Sequence, residues 1–340
     1  MRLTKDAAGK ILSRFDSARI LVIGDLILDE FIWGKADRIS PEAPVPVVWA
    51  QSQSYMPGGA SNVANNVASL GAKVFLCGVI GDDKNGRILT EKLREKNVNC
   101  DAVLVDPIRP TTVKTRIIAS HQQMVRVDWE NTESLSKDMV RQMTEAIGPQ
   151  LENIDAVIIE DYGKGVITPA LLKNVISLAR RHGKIITVDP KVEHFSYYKG
   201  VTAMTPNEKE ASAGSGIKIT DDDDVDAAGW KLLKKLKLAG ILITLGEKGM
   251  KLFSSAKGGG KGTVVHIPTV AQEVFDVSGA GDTVISVFTL ALASGVKMRE
   301  AAVLANVAAG VVVGKVGVAV ISKEELLEAL ARLKGRFPWM

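Results

Sequence analysis

Short apolar runs with the composition of strands alternate with segments of helical spacing along most of this 340-residue chain. The runs are rich in β-branched residues and predict buried strands at 19–25, 73–80, 155–161, 184–190 and 240–246. Apolar residues at helical spacing lie between them, at 60–70, 169–181 and 227–238. Because a strand, a helix and a second strand in this order form a right-handed crossover, the alternation predicts an α/β fold with a parallel sheet.

Composition and charge narrow the class of protein. The apolar fraction of 46% and the charged fraction of 24% are those of an ordinary globular protein, and no Pro- or Ser-rich linker divides the chain. The net charge of +4 is not gathered into a basic tract, so neither nucleic acid nor a membrane is an expected partner. The stretch MRLTKDAAGKILSRF has no apolar h-region, and no uncharged apolar run reaches about 18 residues, so we expect a cytoplasmic protein.

Two stretches break the alternation and predict a small β-layer, or lid. The first, 31–55, is rich in proline yet contains the strongly β-forming VPVVW, and the second, 111–127, has the pattern of a hairpin with a polar turn near 120–123. Within the second stretch Thr112, Lys114 and Arg116 share one face by the period of two, and Arg126 shares a face with Asp128. A solvated edge strand would give the same pattern. A third hairpin, with a Gly-rich turn, is predicted at 251–268.

Aspartates end three of the predicted strands, at Asp25, Asp161 and Asp189. Ligands of open parallel sheets bind beyond the carboxyl ends of the strands. These three carboxylates are therefore candidates for a binding site at that edge.

The stretch FDVSGAGDTV, at 275–284, carries the strongest chemical signal. Small residues before a helix let successive N–H groups point into one cavity, and the helix N-terminus favours an anion there. Gly279, Ala280 and Gly281 would form this anion hole, and Asp282 would accept the proton of an attacking hydroxyl, as phosphoryl transfer requires. The alternative is an aspartate that only caps its helix behind a glycine turn.

Two long motifs resemble the signatures of the ribokinase family of carbohydrate kinases, also called the phosphofructokinase-B type. PGGASNVANNVASLG, at 57–71, followed by GVIGDD, resembles the N-terminal signature, and DVSGAGDT resembles the C-terminal one. The resemblance implies a ribokinase-like three-layer αβα sandwich with a mainly parallel central sheet. It also implies a single kinase domain over 1–340, with a lid formed by about 31–57 and 109–128.

The same resemblance assigns roles to further residues. TPNEKE, at 205–210, is similar to the family's Asn-x-x-Glu element, so Asn207 would serve phosphate and Glu210 would hold magnesium through water. TLGEKG resembles the nucleotide loop, and ATP is the expected donor. The nucleotide ligands expected besides Asn207 and Glu210 are Lys191, Thr244, Gly246, Gly249 and Asn306. The expected sugar ligands are Asp25, Gly58, Gly59 and Asn62. Several relatives use a monovalent cation such as K+, and its requirement here is left open.

The lid sequence points to the sugar. DRISPEAPVPVVW, RPTTVKTR, QQMVRVDWE, EDYGKG and VDPK resemble segments of the D-glycero-β-D-manno-heptose 7-phosphate kinases. These enzymes phosphorylate the anomeric C1 hydroxyl to give the 1,7-bisphosphate, on the way to ADP-heptose for the lipopolysaccharide core. In bifunctional members a nucleotidyltransferase domain follows; none is visible here, so a stand-alone kinase without adenylyltransfer is expected.

A sugar phosphate needs cations at its far end. We expect Lys164 and Arg126 in this role ahead of Arg38, Lys114 and Arg116. Asp161 would either orient Lys164 or contact the sugar, and a plain strand-end turn is the alternative.

Other functions stay open at this point. Another sugar kinase of the family, such as a fructokinase or a ribokinase, fits the same signatures, as does a nucleotide-binding regulator without activity. A dinucleotide dehydrogenase is disfavoured because no G-x-G-x-x-G follows the first strand. Since an exposed β-layer commonly finds a partner, we expect a homodimer with lid packed on lid.

Overall fold

A nine-stranded sheet forms the centre of the fold in the computed structural model, which describes residues 5–120, 122–256, 262–271, 273–315 and 317–333. The strand order is β13-β12-β11-β10-β9-β8-β1-β4-β5. The strands are β1 (Arg19–Gly24), β4 (Lys73–Gly81), β5 (Val98–Asp106), β8 (Ala156–Glu160), β9 (Ile185–Asp189), β10 (Ala203–Met204), β11 (Gly240–Thr244), β12 (Met250–Ser254) and β13 (Thr263–Ile267). All neighbours pair in parallel except β11 with β12 and β12 with β13, which confirms the mainly parallel sheet.

Helices cover both faces of this sheet. In the described part of the chain they are α1 (Lys5–Leu12), α2 (Ala60–Ser69), α3 (Lys84–Glu95), α4 (Lys137–Ile147), α5 (Pro169–Arg181), α6 (Glu208–Ser215), α7 (Asp222–Leu236), α8 (Ala280–Ala293), α9 (Met298–Val312) and α10 (Lys323–Arg332). Successive residues of β1 enter different cores: Ile20 and Val22 pack with α2 and α8, whereas Leu21 and Ile23 pack with α4 and α5. A fully buried parallel strand reads as a continuous apolar run for this reason. The three-layer αβα sandwich is confirmed.

A separate four-stranded sheet forms the lid, with the order β3-β2-β6-β7. Its strands are β2 (Leu26–Ile39), β3 (Pro46–Gly59), β6 (Thr112–Ala119) and β7 (Gln122–Trp129). The hairpin predicted at 111–127 is confirmed. Pro46 and Pro57 both belong to the edge strand β3, where a missing N–H donor is tolerated.

The structure answers the question left open for β6. This strand lies between β2 and β7, pairing in parallel with the first and antiparallel with the second, so it is not a solvated edge. The edge strand on this side of the sheet is β7, whose residues are all exposed.

Smaller expectations can also be compared with the structure. β12 and β13 form the third predicted hairpin, although residues 257–261 of its Gly-rich turn lie outside the described residues. Among the described residues, none of the helices has the length and apolar character needed to cross a membrane.

Candidate active site

The carboxyl ends of three adjacent strands bring acidic residues together. Gly24 of β1 is in register with Glu160 of β8, and Glu160 is in register with Asp189 of β9. Asp25 and Asp161 follow these strands directly. The start of α8 supplies Asp282, so the sheet edge and a helix N-terminus meet at one place.

The turn before α8 has the geometry expected of a helix N-terminus open to a ligand. Gly279 is the N-cap with a φ of 77°, a left-handed conformation that favours glycine. The N–H of Thr283 donates to Gly279 O at 3.0 Å, and that of Ala280 donates to Val277 O at 3.2 Å. The amide of Ala280 is therefore engaged in a turn, which corrects the expectation that it is one of the three free amides of the anion hole. Gly281 is exposed while Asp282 points inward and is 4% exposed.

Asp282 is held by two donors. Asn62 Nδ2 donates to Oδ2 at 2.5 Å, and the hydroxyl of Tyr162 donates to Oδ1 at 3.0 Å. Asn66 Nδ2 donates to the carbonyl oxygen of Asn62 at 2.9 Å, and Thr283 Oγ1 donates to Asn66 Oδ1 at 3.0 Å. Burial raises the pKa of Asp282, whereas the bonds from Asn62 and Tyr162 lower it. Asn62, expected to bind sugar hydroxyls, is thus also a direct partner of the expected base.

Three carboxylates converge beside this contact. One oxygen each of Glu160, Asp189 and Asp282 lies within 4.8 Å of the others. Both oxygens of Glu160 are buried without a hydrogen-bond partner among the described residues. Burial, together with neighbouring carboxylates, raises the pKa of Glu160 and of Asp189. Oxygen donors of this kind fit a hard cation such as Mg²⁺.

Asn207 and Glu210 form a capping box at the start of α6. The N–H of Asn207 donates to Glu210 Oε2 at 2.9 Å, and the N–H of Glu210 donates to Asn207 Oδ1 at 3.0 Å. Asn207 is therefore the N-cap that precedes the helix, and Glu210 lies in its first turn. Burial raises the pKa of Glu210, and its charge in turn raises the pKa of Asp189.

Asp25 fixes the loop that follows β8. Its Oδ2 accepts from the N–H groups of Tyr162 at 2.8 Å and Lys164 at 3.1 Å, and its Oδ1 accepts from that of Val166 at 3.1 Å. Burial, then the charge of Asp161, raise the pKa of Asp25 to about 6. The structure shows this positioning role, while the expected contact with sugar hydroxyls stays a prediction.

One role expected for Asp161 is wrong. Its Oδ1 accepts from the N–H of Gly163, and its Oδ2 contacts His194 Nδ1 at 2.7 Å and the hydroxyl of Tyr198 at 2.5 Å. Lys164 Nζ instead pairs with Glu130 Oε2 at 2.7 Å. Asp161 thus anchors its own loop and does not orient the Lys164 ammonium group.

The two glycines at the end of β3 allow close packing within the chain. A Cβ added at Gly58 would lie 2.3 Å from Asp29 Oδ2. Gly59 has a φ of 55°, and a Cβ there would lie 2.7 Å from the carbonyl oxygen of Asp25. The lid strand, the end of β1 and the start of α2 therefore meet at this point.

Most of the expected phosphate-binding cations share one face of the lid. Asp29, Lys114 and Asp128 form one row across β2, β6 and β7, and the next row on that face contains Arg116 and Arg126. Lys114 Nζ lies 4.9 Å from the centre of the Tyr162 ring, so this face looks toward the strand ends. Burial lowers the pKa of Lys114.

Carboxylates accompany these cations. Arg116 pairs with Asp29, and Arg126 Nε pairs with Asp128 Oδ1 at 2.9 Å. Arg38 does not join the group, because it is exposed at the opposite end of β2 from Leu26, in register with Val47.

The expected nucleotide residues fall into two groups. Thr244 forms an isolated parallel bridge with Asn207, and Gly246 and Gly249, with φ values of 59° and 89°, shape the loop beside it. The side chain of Lys191 packs against Gly163, and its charge acts on Glu210. These residues therefore surround the start of α6.

Asn306 lies apart from that loop. Its buried side chain donates to the carbonyl oxygen of Pro268 at 2.9 Å and so holds the segment that follows β13. The interior contact gives Asn306 a structural role, and the expected adenine contact stays a prediction.

The sequence analysis missed Glu160, Tyr162 and Asn66. Asn66 could have been found, because it follows Asn62 by one helical turn and so lies on the same face. Glu160 directly precedes Asp161, which was recognised as a strand-end aspartate. Because successive side chains of a strand point to opposite faces, the sequence alone would place Glu160 away from the ligand side. Nothing in the sequence joins Tyr162 to Asp282, which lies 120 residues further along the chain.

Comparison with known proteins agrees with this geometry. Residues 17–325 match the family described as pfkB family carbohydrate kinase. Bifunctional protein HldE of Geobacter sulfurreducens is 47% identical over 310 residues, and that of Desulfatibacillum aliphaticivorans is 47% identical over 315. The matches cover 91% and 93% of this chain but only 62% and 63% of those relatives, so the chain spans less than two thirds of their length.

Solved structures share the fold. Arabidopsis thaliana ribokinase complexed with ribose and ATP has a TM-score of 0.72 at 21% identity, covering 92% of this chain and 99% of that one. Phosphofructokinase-2 from Escherichia coli in complex with potassium has a TM-score of 0.76 at 22% identity, covering 93% and 99%. Both signatures, the sandwich and the lid are present, and the family match extends over residues 17–325. This chain therefore belongs to the pfkB family of carbohydrate kinases.

Proposed function

We propose that this protein transfers the γ-phosphoryl group of ATP to the anomeric C1 hydroxyl of D-glycero-β-D-manno-heptose 7-phosphate. The product would be the 1,7-bisphosphate, an intermediate toward ADP-heptose and the lipopolysaccharide core. The observation that carries the kinase chemistry is Asp282, a buried carboxylate in the first turn of α8 directly beside the exposed Gly281. Family membership and the relatives named HldE support the assignment.

The geometry suggests how the residues would act. The N-terminus of α8 supplies N–H groups and a positive dipole end to the transferring phosphoryl group. Asp282 would accept the proton of the attacking hydroxyl, and Asn62 would keep the carboxylate oriented through its bond to Oδ2. Burial keeps the pKa of Asp282 above its usual range, which makes it a stronger base than an exposed aspartate.

The acidic residues near Asp282 fit Mg²⁺. Glu210, held by the capping box, and the buried Glu160 and neighbouring Asp189 would hold the ion directly or through water. When bound, Mg²⁺ neutralises charge on the phosphate oxygens.

The lid supports a phosphorylated acceptor. Lys114, Arg116 and Arg126 occupy the face that looks toward the strand ends, and Lys164 lies on the loop below. Their carboxylate partners are acceptors that a sugar phosphate would replace. Another sugar of this family remains the second candidate, since ribokinase and phosphofructokinase-2 share the fold.

A panel of acceptors with ATP tests the proposal. We expect the largest kcat/KM for heptose 7-phosphate, and a preference for unphosphorylated ribose or fructose would reject this substrate. Asp282→Asn should lower kcat by about 10²- to 10⁴-fold with ATP affinity nearly kept, because only proton acceptance is lost. Asp138→Asn, an exposed aspartate of α4, is the matched control. A chain that turns over no ATP with any sugar would be the regulator instead.

Two further expectations belong to this proposal. The protein would act as a homodimer through the lid, and its ATP-dependent chemistry suits the cytoplasmic location expected from the sequence. A need for K+ is left to direct assay, although the Escherichia coli phosphofructokinase-2 was solved with potassium.

A further inference from the structure

We propose that Tyr162 is a latch on the base: its hydroxyl takes the place of the acceptor hydroxyl on Asp282 until the sugar displaces it. This inference rests on the proposed role of Asp282. It makes Tyr162 a positioning residue that excludes water from the base and that connects the base to the lid.

The distances define the place that Tyr162 occupies. A hydroxyl that gives its proton to a carboxylate must lie about 2.6–3.2 Å from an oxygen of that group. The hydroxyl of Tyr162 lies 3.0 Å from Asp282 Oδ1, and Asn62 holds Oδ2. Asn62 is itself fixed by Asn66 within α2. Oδ1 is therefore the oxygen left to the acceptor, and Tyr162 bonds to that oxygen.

Only the side chain of Tyr162 can turn without breaking the loop. Its N–H is bound to Asp25, as are the N–H groups of Lys164 and Val166. The carbonyl oxygen of Gly165 accepts from Leu135 at 3.0 Å. With the main chain held at these points, displacement of the hydroxyl requires rotation about the side-chain bonds.

Lys114 connects this movement to the lid. Its ammonium group lies 4.9 Å from the centre of the Tyr162 ring, a cation–π distance, and Lys114 belongs to the inner lid strand β6. Rotation of the ring would remove this contact and leave Lys114 facing the sugar phosphate. Arrival of the acceptor would thus free both the base and a lid cation.

The Tyr162 hydroxyl and the Asp282 carboxylate influence each other's protonation. The negative charge of Asp282, with burial, raises the pKa of Tyr162, so the phenol stays a neutral donor. Its hydrogen bond favours the ionised carboxylate and lowers the pKa of Asp282. Removal of the hydroxyl should therefore leave Oδ1 of Asp282 without its donor and open to water.

Tyr162→Phe tests the latch. We expect ATP hydrolysis without sugar to rise about tenfold, because water then reaches the carboxylate oxygen that the Tyr162 hydroxyl had covered. Tyr198→Phe is the matched control, since it loses a phenol-to-carboxylate bond at Asp161 and not at Asp282. Sugar-independent ATP hydrolysis that stays at the wild-type rate, or that rises equally in the control, overturns the proposal.

Two measurements separate the possible failures. If Asp282→Asn keeps its turnover, the proposed base is wrong; if it is inactive while Tyr162→Phe behaves as wild type, only the latch is wrong. Replacing Tyr162 by 3-fluorotyrosine keeps the hydroxyl and gives a second, spectroscopic readout. Heptose 7-phosphate alone should shift its ¹⁹F resonance, and an unchanged resonance at saturating sugar contradicts displacement.

Discussion

Glu160 stands beside Asp189 and Asp282 with both carboxylate oxygens lacking a donor among the described residues. Neighbouring buried carboxylates cannot all ionise without a large electrostatic cost, so protons are retained unless a cation is bound. A carboxyl group whose pKa is raised on folding contributes stability below its unfolded value, and this contribution is lost as pH rises through the folded value. Burial also raises the pKa of Asp25, to about 6, so the contribution of Asp25 to stability is likewise lost as the pH rises.

We therefore expect the ligand-free protein to lose stability as the pH rises through about 6, the raised pKa of Asp25, and further as Glu160 and Asp189 ionise. Glu160→Gln keeps the shape but removes the charge, so it should flatten this loss and stabilise the protein at pH 8 by about 1–3 kcal/mol. Glu328→Gln, on the exposed face of α10, is the control and should follow the wild type. Melting temperatures across the pH range measure the effect. If the melting temperatures of both variants fall equally steeply with pH, Glu160 is not the cause of the pH dependence of stability.

At the scale of elements, the loop at 161–166 between β8 and α5 depends on its glycines. Gly165 has a φ of 83°, and a Cβ there would lie 2.0 Å from the carbonyl oxygen of Glu133. Main-chain atoms cannot move aside as a flexible side chain does. The loop is therefore held between Asp25 on one side and the segment before α4 on the other.

Gly165→Ala should destabilise the protein by about 2–4 kcal/mol, because strain in the left-handed region adds to the clash. Gly183→Ala supplies the comparison: its φ is 65°, but a Cβ there meets nothing within 4 Å. That variant should lose only about 1–2 kcal/mol. Urea denaturation midpoints distinguish the two. Equal losses would mean that the contact with Glu133 has no energetic consequence.

Periodicity predicted elements where one pattern dominates. The strands β1, β8 and β9 and the helix α5 were predicted closely because each is a local run with clear boundaries. The two-residue strand β10 is too short to show a period. The turn before α8 was recognised from adjacent residues, whereas the bond from Tyr162 to Asp282 depends on how two distant loops meet. Register between parallel strands, which places Glu160 beside Asp189, is a tertiary property.

At the scale of the whole molecule, the lid has two different faces. One carries the cations near the strand ends, and the other exposes Val125, Val127 and Trp129 of β7, at 47%, 37% and 63%. An edge strand with exposed apolar side chains is suited to pair or pack with another chain. The homodimer proposed above would cover this surface.

Charge on that face should separate the subunits. We expect Val125→Asp with Val127→Asp to give a monomer in light scattering at micromolar concentration, where the wild type gives a dimer. Val264→Asp, on the exposed edge strand β13, is the control and should remain dimeric. A wild type that is monomeric under the same conditions contradicts the lid interface.

The bonds that join α2 to α8, from Asn62 to Asp282 and from Thr283 to Asn66, lie entirely within the main domain. None of these four residues belongs to a lid strand. Apart from the link through Lys114 and Tyr162, the two helices hold the base without the lid strands, so we expect that exchanging lid residues other than Lys114 can redirect the enzyme to a different sugar while the reaction geometry is kept.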